Sequence, residues 1–245
     1  MNSQMMNILV VGASGATGQH MVNQLLERGQ RVRILVRNPE KLPPAWHERE
    51  GLTISPGSLL DLNDQEMKDL VEGCAAIASC LGHNMTPKGI WGSPRRLVTE
   101  AVRRLCEAIT SDPDQPVKFV LMNTVGNRNR DQHEPSSLGQ RLVIGLMRLL
   151  LPPQRDNEQA PEYLRVHIGQ DNPRIEWVAV RPDSLLDENE VSAYDIHPSP
   201  IRSPIFDPGK TSRINVAHFM SELMTNEALW QQWRGRMPVI YNREA

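Results

Sequence analysis

Neither sign of charge is in excess in this 245-residue chain: 27 Lys and Arg stand against 29 Asp and Glu, a net of −2. That balance gives no electrostatic footprint for nucleic acid or for an anionic membrane surface. Cysteine is scarce. Cys74, Cys80 and Cys106 are too few and too scattered for a disulfide framework or a zinc site, so reduced thiols are expected. The seven histidines contain no His-x-x-x-His pair, and no metal site is expected. Long hydrophobic runs are missing as well. No stretch reaches the ~18 apolar residues of a membrane span. The richest, Leu142–Leu151, is short and carries Arg148. The opening MNSQMMNILVVGASG lacks a basic n-region and a cleavage site, so a cytoplasmic protein is expected. The 39% hydrophobic and 23% charged content excludes a disordered chain and leaves material for a sizeable core. At this length a single α/β domain over 1–245 is the expectation.

Strand-like and helix-like segments alternate through the first half. Asn7–Val11 is a short apolar run suited to a strand buried on both faces. Thr17–Arg28 has the helical rhythm Met21, Val22, Leu25, Leu26, with Gly29 placed to end it. Strands are predicted at Arg31–Val36, Leu52–Ser55, Ala75–Cys80 and Val117–Met122. Helices are predicted at Asp61–Val71 and from Ser93-Pro94 through the stripe Leu97 to Leu105. This alternation predicts βαβ units and a doubly wound parallel sheet. Further on, Leu138–Leu151 reads as a helix closed by Pro152-Pro153, buried in the core or, as the alternative, forming a dimer contact. Asn157–Ile168 reads as a helix despite Pro161, Ile175–Val180 as a strand, Asn215–Met224 as a helix and Pro238–Tyr241 as a last strand. Residues 183–213 read as a long, irregular excursion forming a lid on the substrate side. Trp91, Trp177, Trp230 and Trp233 are expected as core anchors.

The strongest motif is VVGASGATG at 10–18. It stands between the first predicted strand and the first predicted helix, which is the context that dinucleotide binding requires. Gly12 permits a sharp turn, Gly15 removes a side chain where backbone meets a pyrophosphate, and Gly18 allows close helix–sheet packing. The orphan amides at the helix N-terminus would then face phosphate at the positive end of the helix dipole, with Ala16 in the same loop and the hydroxyls of Ser14 and Thr17 as further donors. No Gly-Lys-Ser/Thr follows, which disfavours a phosphate-transferring P-loop.

This loop, followed by LVRNPEKL (35–42), resembles the atypical and extended short-chain dehydrogenase/reductase superfamily. Within it, the chain is similar to the group of NmrA-like proteins and NAD(P)-binding flavin or biliverdin reductases. The likeness continues through residues 55–82, FVLMNTVG (119–126), EWVAVRPDSL (176–185) and RINVAHFM (213–220). It implies a Rossmann-type fold with a small irregular C-terminal substrate region, and oxidoreductase activity. It also implies cofactor contacts at Ser58 and Leu59, at Cys80, Leu81 and Gly82, and at Asn123 and Pro182.

An NAD-preferring enzyme commonly ends its second strand on an acidic residue that bonds the ribose 2′-OH. Here Val36-Arg37-Asn38 stands there, and Arg37 can form a charge-assisted fork with a 2′-phosphate. NADP(H) is therefore expected ahead of NAD(H), which stays open. The superfamily's Tyr-x-x-x-Lys pair occurs nowhere. Its nearest imitation is Tyr163 with His167, although alignment of 158–164 places Gln154 and Glu158 nearer the pair's positions. Thr124 matches the hydroxyl residue that follows the fifth strand, where it could bind a substrate carbonyl or only satisfy local backbone. His83 could border the cofactor, and Ser203 and Arg213 are candidate contacts for an anionic substrate. Without the pair, a simple alcohol dehydrogenase is disfavoured. Two readings stand: hydride transfer to a small acceptor such as a flavin or quinone, or a non-catalytic NADP(H) sensor of NmrA-like type. A monomer or a homodimer fits either.

Overall fold

The computed structural model describes residues 5–83, 86, 92, 94–132, 134 and 136–243; Trp91 and Ser93, named above, lie outside them. The apolar runs form their strands, in the order β1 (Asn7–Val11), β2 (Arg31–Val36), β3 (Leu52–Pro56), β4 (Ala76–Ser79), β5 (Val117–Met122) and β6 (Ile175–Pro182). Between them lie helices α1 (Ala16–Glu27), α2 (Asp64–Val71), α3 (Leu97–Ala108), α4 (Leu138–Leu150) and α5 (Pro152–Tyr163). The C-terminal part adds β7 (Ser184–Leu186), β8 (Tyr194–His197), β9 (Lys210–Ser212), α6 (Arg213–Thr225), α7 (Glu227–Trp233) and β10 (Val239–Asn242).

The main sheet runs β3-β2-β1-β4-β5-β6-β10-β8. Every neighbouring pair is parallel except β10 with β8. Strands β7 and β9 form a separate two-stranded pair. Because both faces are covered, successive side chains enter different cores. Ile8 and Val10 pack with Met21, Val22 and Leu25 of α1 and with Phe219 and Met220 of α6. Leu9 and Val11 pack with Met67 of α2, Leu105 of α3 and Ala160 of α5. Trp177, Trp230 and Trp233 are buried in these layers, as core anchors should be.

The structure corrects several sequence expectations. Helix α4 is not a core helix: only Gln140 and Ile144 are buried, while Leu138, Leu142, Leu146, Leu149 and Leu150 are exposed. The prolines after it also open the next helix, which starts at Pro152 rather than Asn157. Proline is tolerated in a first turn, where its missing N–H has no intrahelical partner. Residues Leu164–Ile168 continue as a π-turn. Helix α3 begins at Leu97, so Pro94 is not in its first turn, and its N-cap Arg96 makes no side-chain cap bond. The excursion at 183–213 contains three short strands. One of them, β8, joins the main sheet through the alternation Tyr194-Asp195-Ile196-His197, with Tyr194 and Ile196 turned to the core. Helix α7 was not expected at all.

A buried ion pair fixes the carboxyl end of β6. Arg181 and Glu134 have side-chain exposures of 0% and 2% and are 2.7 Å apart. Arg181 also donates to the carbonyls of Met237 and Asn127, and Glu134 accepts from the Asn129 amide at 2.8 Å. The loop after β5, the end of β6 and the approach to β10 thus meet at one guanidinium.

Candidate dinucleotide site

Strand order reverses between β1 and β4, so a crevice opens beyond their carboxyl ends, where ligands bind in open α/β sheets. The glycine loop lies there. Gly12 has φ +79°, and a Cβ on it would come within 2.6 Å of the Cys80 carbonyl. A Cβ on Gly18 would sit 2.1 Å from the Gly12 oxygen, and one on Gly15 would be 3.2 Å from it. These contacts need glycine at Gly12 and Gly18, and they hold the loop against the backbone leaving β4. The Gly15 amide closes the turn on the Gly12 carbonyl at 3.0 Å, and the first bond into α1 runs from the Gln19 amide to the Gly15 carbonyl at 2.9 Å. Amides of Ala16, Thr17 and Gly18 precede that bond and have no intrahelical acceptor. Ser14, Gly15 and Ala16 are exposed, and Thr17 is 5% exposed. The result is a cradle of outward amides at a helix N-terminus, a shape and charge that fit a pyrophosphate.

Arg37 follows β2, is exposed and has no ion-pair partner among the described residues. Ser58 is half-buried, and its carbonyl accepts from the Asp61 amide. Leu59 is turned into the core layer that contains Leu35 and Met67. Cys80 is buried, and desolvation pushes its thiol up to about 12, so it behaves as a packed residue rather than a nucleophile. Its amide extends the β1–β4 ladder to the Val11 carbonyl, with Leu81 and Gly82 following half-buried and exposed.

The carboxyl end of β5 is organised around a proline. Pro161 has no N–H to give the Asn157 carbonyl one helical turn earlier. That carbonyl instead accepts from Asn123 Nδ2 at 2.8 Å and Asn127 Nδ2 at 2.7 Å, which ties the loop after β5 to α5. Gln154 and Glu158 join the same network, with Gln154 Nε2 donating to Glu158 Oε1 at 2.9 Å. Beside it opens a polar recess of about 410 Å³, where Arg130 and Arg148 are already paired with Glu162 and Glu158. Thr124 Oγ1 accepts from the Gly126 amide at 3.3 Å and can still donate its proton. The Pro182 carbonyl accepts from the Val125 amide at 3.0 Å.

Tyr163 stacks on His167 with ring centroids 5.0 Å apart. Burial, with Cys106 and Glu107 of α3 nearby, pushes its phenol up to about 12. The Tyr-x-x-x-Lys arrangement acts in the opposite direction, so Tyr163 is a poor proton donor where it stands. Ser203 and Arg213 are also engaged within the chain, by Gln140 and Asp187 respectively.

Asp156 was not foreseen. Its buried carboxylate accepts from the Val98 amide at 2.8 Å and the Thr99 amide at 2.9 Å, capping α3 from another helix. The same carboxylate lies 2.7 Å from His83 Nε2. No sequence signal announces a cap 57 residues away.

Fold and crevice define a Rossmann-type nucleotide-binding protein. The family model described as NAD(P)H-binding matches residues 12–227, and the chain belongs to that family. It is 32% identical over 123 residues to cinnamoyl-CoA reductase 2 of Medicago truncatula, a match spanning 48% of this chain and 34% of that protein. A wide-type short-chain dehydrogenase/reductase of Veillonella parvula, solved in complex with NADP, is similar with TM-score 0.66 and 14% identity over 97% of this chain and 94% of that one. A candidate NADH-flavin reductase of Streptococcus pneumoniae gives TM-score 0.65 and 15% identity over 97% and 100%. At these identities the two structures speak for the fold alone.

Proposed function

We propose that this protein is an NADP(H)-dependent oxidoreductase of the atypical short-chain type, passing hydride to a small acceptor without a Tyr-x-x-x-Lys pair. The observation that carries this reading is the Gly12–Gly18 cradle, where Gly12 and Gly18 admit no side chain and the first amides of α1 have no intrahelical acceptor. Arg37, exposed and uncommitted, supports NADP(H) over NAD(H) because its fork matches a 2′-phosphate. When bound, the dinucleotide supplies hydride, and the chain has to orient the acceptor and keep it close. Ser14–Gly18 would hold the diphosphate and Ser58 would border the adenine side, while Leu59, turned into the core, gives the ring no side-chain cover. Cys80–Gly82 line the nicotinamide ribose with backbone. Asn123, clamped by the freed Asn157 carbonyl, fixes Thr124, whose hydroxyl donates to an acceptor oxygen. Pro182 and the 183–213 lid close the other side.

Burial makes Tyr163 a poor stand-in for the missing phenol. The acceptors favoured are therefore those that take protons from solvent, flavins and quinones. The missing pair also favours a second reading, a regulator that binds the dinucleotide without turning it over. Acceptor-dependent loss of nicotinamide absorbance, measured with flavins and quinones, separates the two. Oxidation of NADPH faster than of NADH is expected. Tight NADPH binding with no oxidation by any acceptor would overturn the enzyme reading.

A further inference from the structure

Helix α4 carries an apolar face that its own chain leaves open. Gln140 and Ile144 anchor its inner side, while Leu138, Leu142, Leu146, Leu149 and Leu150 are 82%, 72%, 51%, 81% and 56% exposed on the other. The face extends onto the 183–213 segment. Phe206 is 63% exposed, and its ring lies 3.3 Å from where a Cβ on Gly139 would be. Ile201 is 64% exposed, and nearby Ser203 bonds Gln140 of α4. Together these side chains expose an area on the order of 800 Å², about what one partner contributes to a standard interface. A monomer's largest apolar patch is typically about 300–600 Å².

We propose that this face is the contact between two copies of the chain, paired about a two-fold axis. The leucine pattern is self-complementary. Leu138, Leu142, Leu146 and Leu150 form one ridge at four-residue spacing. An axis passing midway between Leu142 and Leu146 brings Leu142 of one copy to Leu146 of the other, and Leu138 to Leu150, which is the isologous geometry. The antiparallel arrangement also opposes the helix dipoles, which a parallel one would align. Gly145 lies on the exposed side, and among the described residues no atom comes within 4 Å of its would-be Cβ. Glycine is unfavourable inside a helix and has no packing role in its own chain here; it permits close approach of a second helix.

An anionic lipid surface fits less well. Recognition of that kind uses clusters of about 4–8 Lys or Arg. On α4, Arg148 is neutralised by Glu158, leaving Arg141 as the other cation of the helix. The pairing would also rest Phe206 of the lid segment against the second copy, and it stands independently of the dinucleotide reading.

Sedimentation of the full chain across the micromolar range should give twice the 27.7 kDa chain mass. Leu142→Glu and Leu146→Lys, both at exposed positions, should each weaken self-association roughly 100-fold. Their circular dichroism and melting temperature should stay those of the parent. Mixing the two variants should restore a dimer, because the introduced acid and base then face each other across the axis. A monomeric parent throughout the range would overturn the proposal. So would a dimer indifferent to Leu142→Glu, failure of the mixture to re-associate, or a monomer that instead partitions onto phosphatidylcholine vesicles.

Discussion

Two places at the carboxyl end of the sheet treat polar groups in opposite ways. At the Arg181–Glu134 pair, the guanidinium and carboxylate are buried and bonded to each other and to backbone of two loops. At the glycine loop, amides of the first turn of α1 face outward without intrahelical acceptors, and Arg37 beyond β2 has no anionic partner among the described residues. A polar group satisfied inside the chain supports the fold, while one held open by steric constraint is prepared for something outside it. The first kind should register in stability and the second in binding.

The largest effect expected is at the buried pair. Arg181→Ala leaves Glu134 charged, buried and unpaired, and should cost about 3–5 kcal/mol in urea denaturation. Replacing both partners, Arg181→Met with Glu134→Leu, should cost much less, because no charge is stranded. If the single and double changes cost the same, the pair is not the organising contact described.

Gly18→Ala follows. It forces an atom to within 2.1 Å of the Gly12 oxygen and so deforms the cradle. NADPH affinity should fall roughly 100-fold, about 2.7 kcal/mol, in calorimetric titration. Asp156→Ala strips the Val98 and Thr99 amides and His83 of their shared acceptor. A loss of about 2 kcal/mol in thermal or urea unfolding is expected, and Asp156→Asn, which keeps an acceptor oxygen, should lose less. Arg37→Asp removes no hydrogen bond or ion pair among the described residues. Its unfolding free energy should stay within about 0.5 kcal/mol of the parent. NADPH affinity should drop roughly 10–100-fold, with NADH affinity changed far less. Last, none of the three buried thiols should react with a disulfide reagent in the folded protein at mildly alkaline pH. Burial raises the pKa of each, so thiolate is scarce and labelling should wait for unfolding.

The first half of the fold was legible because its determinants are local. Strands β1 and β4 are short runs of apolar and small residues, β2 and β3 alternate apolar with polar residues, and the glycine spacing lies within seven consecutive residues, 12–18. The second half depends on partners far along the chain. Arg181 and Glu134 are 47 residues apart, and nothing near either one predicts the pairing. The cap of α3 comes from Asp156, which no local signal near Leu97 announces. The leucines of α4 show an apolar stripe, but a stripe does not say whether its cover belongs to the same molecule. One distant feature did have a local signal: a proline four residues after Asn157 guarantees a carbonyl in need of donors, and Asn123 and Asn127 supply them. Tyr163 illustrates the converse. The spacing to His167 imitates a catalytic pair, yet the helix turns that face toward α3.

The central claim, that the loop from Gly12 to Gly18 receives a dinucleotide diphosphate, is tested most directly by isothermal titration of NADPH into the full-length protein. The account predicts saturable heat at one nucleotide per chain, lost on Gly18→Ala while the fold is retained. Folded protein that gives no heat with NADPH or NADH would contradict it.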